Sequence, residues 1–147
     1  FHTPLSPPPA YQIPARLPVL ERRVAYAEVA EAVLNVTCRH CHGKEGIGIG
    51  DGGPGNTGGF GFEPIKLNLA TYKDVQAGFV DKDGERHSVF EKVANGEPRL
   101  VAALWARHQE KAGKPNPEIR GMPLGLPPLP PEQIQLVESW VEQGRPR

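Results

Sequence analysis

Apolar residues recur at helical spacing along much of the chain, and residues that begin or end helices bound the stretches where they do. Val24, Ala25, Val29, Ala30, Val33 and Leu34 alternate with Glu21, Arg22, Arg23, Glu28 and Glu31, which predicts a first helix running from about Glu21 into Thr37 and Cys38. Leu67, Leu69, Tyr72, Val75 and Phe79 predict a short helix with Asn68 or Thr71 as its cap and Gly78 as its stop. A turn at Asp81-Lys82-Asp83-Gly84 follows, then a second short helix through Val89, Phe90 and Val93 to Gly96. Leu100, Val101, Leu104 and Trp105 form a third helical stripe after Pro98, with His108 on its charged, solvent-facing end. Pro131 in a first turn, the stripe Ile134, Val137, Trp140 and Val141, and Gly144 as terminator define a C-terminal helix.

The intervals between these elements are unusually rich in glycine and proline. Pro4, Pro7, Pro8, Pro9, Pro14 and Pro18 make residues 1–20 an N-terminal arm or linker that lies outside the core, leaving 21–147 as one domain. Ten glycines fall between Gly43 and Gly61. That stretch lacks the Lys-Ser/Thr ending of a phosphate-binding loop and no strand precedes it, so it reads as a loop lying close to a flat ligand. Gly113 to Pro130 carries six prolines and reads as a stiff loop containing Met122, the single methionine. Lys plus Arg and Asp plus Glu are both 17, so no overall charge points to nucleic acid or an anionic membrane. No apolar run reaches the roughly 18 residues of a membrane-spanning helix.

The chemistry is concentrated in Cys38-Arg39-His40-Cys41-His42. C-x-x-C-H is the attachment sequence of a c-type haem: each thiol adds to one vinyl group of the porphyrin, and the following histidine becomes the proximal iron ligand. A zinc site needs four ligands, and only two cysteines are present, with no recognised histidine spacing to complete it. A dithiol oxidoreductase would carry C-x-x-C in a βαβ setting, whereas here a helix precedes and a glycine-rich loop follows. A disulfide inside C-x-x-C would close too small a loop to add much stability. Haem attachment is the favoured reading. A low-spin electron-transfer haem takes a sixth ligand, and a thioether raises the potential. Met122, in Gly121-Met122-Pro123, is the first candidate, with His87 and His108 as rivals for bis-histidine ligation; His40 lies within the attachment turn and does not readily reach the opposite face.

Taken with Gly43, Pro127-Pro128-Leu129, Glu132-Gln133-Ile134 and Trp140-Val141-Glu142-Gln143-Gly144, these motifs resemble class I cytochromes c. The stretch from Leu67 to Gly78, with Ser88-Val89-Phe90 and Val93, is more loosely similar to planctomycete-type haem domains. The resemblance implies an all-α, class I cytochrome c fold with the first and last helices crossing, and one haem c held covalently by Cys38 and Cys41. It implies His42 and Met122 as axial ligands and the Pro54 carbonyl as acceptor for the second ring nitrogen of His42. Arg99, Arg120 and Trp105 are candidate donors to the haem propionates. The expected activity is electron transfer, cycling Fe(III) and Fe(II) with a transient redox partner protein, rather than enzymatic turnover. The expected location is periplasmic or otherwise extracytoplasmic, with an export signal removed ahead of Phe1. A competing expectation is an open-site haem enzyme of peroxidase type or a gas sensor, in which Met122 is off the iron. A third is an interaction module that uses haem as a structural staple.

Overall fold

The computed structural model describes residues 11–38, 69, 71–81, 83–123 and 126–147. Its first helix, α1 (Tyr26–Val29), passes directly into a π-helical turn, Ala30–Leu34. This start is later than the periodicity predicts, because the amides ahead of it are used elsewhere. Val24 N–H donates to Gln143 Oε1 at 2.8 Å and Tyr26 N–H to the Pro146 carbonyl at 3.0 Å, while Ala25 is extended. Long-range bonds to the end of the chain thus replace the first helical turn. In the π turn, Asn35 N–H reaches back to the Ala30 carbonyl at 2.8 Å, and Val29, Ala30, Val33 and Leu34 all stay buried. Such widened turns are rare and recur at functional sites; this one leads into Cys38.

α2 (Tyr72–Ala77) is capped by Thr71, whose hydroxyl accepts from Asp74 N–H at 3.1 Å. Gly78, at φ +77°, ends it, and a Cβ at that position would collide with the His87 carbonyl. The chain then forms a two-stranded antiparallel hairpin, β1 (Phe79–Val80) and β2 (Arg86–His87), with Phe79 opposite His87. Asp81 Oδ1 accepts the amides of Asp83 and Glu85, both at 2.9 Å, and this closes the turn expected at residues 81–84.

The helix expected through Val89, Phe90 and Val93 is absent from the structure. Leu100 N–H donates to the Val89 carbonyl, Arg99 N–H to the Glu91 carbonyl and Val93 N–H to the Glu97 carbonyl, at 2.7, 2.8 and 2.9 Å. These groups pair across a loop, so they are not free to pair along a helix. Val89 and Phe90 still enter the core.

α3 (Arg99–Lys111) and α4 (Pro131–Glu142) are the two long helices. α4 packs against α1, the π turn and α3 through Ile134, Val137 and Trp140. Trp140 is fully buried, its ring lying 5.9 Å from that of Tyr26 and 5.7 Å from that of Phe90, and its Nε1–H donates to the Pro146 carbonyl at 2.8 Å. Residues 11–20 run without helix or strand across α3 and α4. Arg16 pairs with Glu97 and lies over the Trp105 ring, Gln135 Nε2 donates to the Pro18 carbonyl, and Leu20 N–H donates to the buried Ser139 hydroxyl. No helix among the described residues is long and apolar enough to cross a membrane.

Candidate haem site

Cys38 stands at the end of the first helical run, where Thr37 N–H has returned to an ordinary helical bond with the Val33 carbonyl at 2.9 Å. It is half-buried and packs against the principal core, which includes Val33, Leu34 and, from α3, Val101, Leu104 and Trp105. Cys41, His42 and Pro54 lie outside the described residues.

Met122 is half-buried in a loop fastened to α3. Its N–H donates to the Ala103 carbonyl at 3.0 Å, Gly121 N–H donates to Glu110 Oε2 at 2.7 Å, and Arg107 Nε donates to the Leu126 carbonyl at 2.8 Å. Ala103, Arg107 and Glu110 follow one another at i, i+4 and i+7, so a single stripe of α3 supports the loop. The approach is close enough that a Cβ on Gly121 would sit 2.5 Å from the Arg107 backbone. Ala102 and Ala106 face Ile119 in a small second cluster on the same helix. α3 is therefore the support common to Cys38, through the core, and to Met122, through backbone bonds.

The rival histidines are both engaged. His108 was expected at a solvent-facing end, yet it is 3% exposed. Its Nε2 lies 2.8 Å from the Leu129 carbonyl and its Nδ1 2.7 Å from the Tyr11 hydroxyl. Val101, Leu104, Trp105 and His108 share the buried stripe of α3, and residues 11–20 cover its end. The 101, 104, 105, 108 spacing was the signal; the charged neighbours obscured it. His87 sits on the hairpin with Nε2 2.7 Å from Asp81 Oδ2 and Nδ1 3.1 Å from Glu91 Oε2. These two contacts, Asp81 first, hold its pKa above the ordinary histidine range. The Glu85 amide, and then His87 itself, hold the Asp81 carboxyl below its usual range. One ligand atom from each of Asp81, Glu85 and His87 lies within 4.8 Å of the others, but the hydrogen bonds closing the hairpin already occupy Asp81 and His87.

A haem would bring apolar surface edged by two carboxylates, and the described residues suit such a group. Arg99 Nε and Trp105 Nε1 are buried donors with no hydrogen-bond acceptor among the described residues, a state that costs free energy unless an acceptor is supplied. Arg99 lies over the Phe79 ring at 5.5 Å and Trp105 lies beneath Arg16 at 4.9 Å, so neither side chain is loosely placed. The Met122 thioether, in a loop fixed by backbone bonds, and the Cys38 thiol, on the core edge, are of the kinds that haem c takes as iron ligand and as attachment point. The fastening roles of Arg107, His108 and Glu110, and of Tyr11 through His108, have no counterpart in the sequence reading, because a side chain bonding a distant backbone group leaves no periodic trace.

No family model matches the chain, and no curated protein or solved structure does so either.

Proposed function

We propose that the chain is a single-haem electron-transfer protein with a class I cytochrome c fold, working outside the cytoplasm with a transient redox partner. The observation that carries this reading is the sequence Cys38-Arg39-His40-Cys41-His42, which begins where a buried helical run ends against the core. Cys38 and Cys41 would hold the haem covalently, His42 and Met122 would be its axial ligands, and the Pro54 carbonyl would accept from His42 and orient its ring. When bound, the haem supplies a one-electron Fe(III)/Fe(II) couple.

The chain's residues supply position and environment. Arg99 and Trp105 offer buried donors for propionates. The α3 stripe of Ala103, Arg107 and Glu110 holds the loop carrying Met122. Met122 gains weight as sixth ligand because His87 and His108 have both ring nitrogens engaged.

The test is an optical spectrum of the haem-loaded protein, oxidised and reduced, beside that of Met122→Ala. The expected result is a low-spin ferrous spectrum and a weak long-wavelength methionine-to-iron band in the ferric form. That band disappears in the variant, and CO does not bind the wild type. A high-spin wild type that binds CO or peroxide would overturn the assignment and favour an open-site enzyme or gas sensor.

A further inference from the structure

His108 joins two segments that are remote in sequence. The Leu129 carbonyl can only accept, so the Nε2 that lies 2.8 Å from it carries the proton. In the neutral ring Nδ1 is then an acceptor, and the Tyr11 hydroxyl at 2.7 Å donates to it. The opposite tautomer would set a ring lone pair against the Leu129 carbonyl. Tyr11 thus holds His108 in the form that fastens Leu129, and stacks beside it at 6.0 Å under the Lys111 ammonium. Leu129 is the far end of the loop whose near end is Met122. α3 bonds that loop at Gly121, Met122, Leu126 and Leu129. Without the Leu129 bond, the loop keeps its near and middle anchors and loses the one that fixes its exit.

We propose that Tyr11 and His108 are positioning residues for the methionine loop, so that residues 11–20 act as an outside latch on the sixth iron ligand. The latch on the loop stands on the geometry alone; its effect at the iron rests on the reading of Met122 given above.

The test compares haem-loaded wild type with Tyr11→Phe, which keeps the ring stacked and removes only the hydroxyl. Two quantities are followed: amide hydrogen exchange at Met122 and Leu126, and the rate at which added imidazole abolishes the methionine-to-iron band. The expected result is roughly fivefold faster exchange at both amides, the factor associated with one net hydrogen bond. Imidazole displacement accelerates by a similar factor, and the core amides of Val137 and Trp140 are unchanged. In a His108→Gln background, where an amide donates to Leu129 whatever its tautomeric neighbour does, Tyr11→Phe has a smaller effect. Unchanged exchange at Met122 and Leu126, or a uniform rise that includes Val137 and Trp140, overturns the latch. A wild type without the methionine band overturns the iron-ligand reading and the latch's effect at iron, while the exchange data still decide the latch on the loop.

Discussion

On one side of α3, Val101, Leu104 and Trp105 enter a core shared with Val33, Leu34, Ile134, Val137 and Trp140. On the other, Ala103, Arg107 and Glu110 meet the backbone of Met122, Leu126 and Gly121 through hydrogen bonds. The first contact is made by volume and burial, is nearly indifferent to direction, and holds helices together. The second is made by directional bonds over alanines and a glycine small enough to let backbones touch. A helix gripped this way can be anchored strongly on one side and still act as a ruler on the other. The core should set the stability of the molecule, and the stripe should set where Met122 stands.

The comparison breaks most visibly at Trp140. Trp140→Ala removes a fully buried indole and its bond to Pro146 and is expected to cost about 3–5 kcal/mol. Denaturant unfolding should show this as a large shift of midpoint for the whole domain. Gly121→Ala tests the other side. The new Cβ meets Arg107 backbone that cannot yield, so the loop must move, with an expected loss of about 1–3 kcal/mol. Its distinguishing mark is a weakened methionine-to-iron band at a temperature where the core is still folded. A band unchanged in this variant would mean that the stripe does not determine the position of Met122.

The hairpin, outside both contacts, gives the smallest effect. His87 is raised by Asp81 and Glu91, so its stabilising contribution is complete below the ordinary 6.5 and is lost as pH rises through its higher folded value. Asp81 is lowered, so its contribution is complete above the ordinary 3.8 and is lost as pH falls through its folded value. Protection of the Asp81 and Glu85 amides should therefore be greatest between those limits. A His87 NMR titration midpoint above 6.5, brought down by Asp81→Asn, checks the contact; a midpoint at or below 6.5 in the wild type would contradict it.

Some of this architecture is legible in the sequence. Pro131 and Gly144 bracket α4, Thr71 caps α2, Gly78 ends it, and Asp81 to Gly84 turn the hairpin, each because a local backbone preference and the tertiary structure agree. The failures occur where distant partners take the backbone. Val89, Phe90 and Val93 have helical periodicity, but Leu100 and Arg99 claim the carbonyls of Val89 and Glu91 and Glu97 claims the amide of Val93, and no spacing rule anticipates that. The same reason delays the start of α1. At the candidate site, the C-x-x-C-H pattern is readable because its five residues are contiguous. The fastening of Met122 is not, because it depends on Arg107, Glu110 and Gly121 meeting in space.

Residues 144–147 do more than end a helix. The Pro146 carbonyl receives both the first amide of α1 and the indole of Trp140, the Arg145 carbonyl receives the Tyr72 hydroxyl at 3.0 Å, and the Arg145 guanidinium lies 4.3 Å over the Phe90 ring. The start of α1 and the indole of Trp140 thus depend on the same few residues, and loosening 144–147 would release both together.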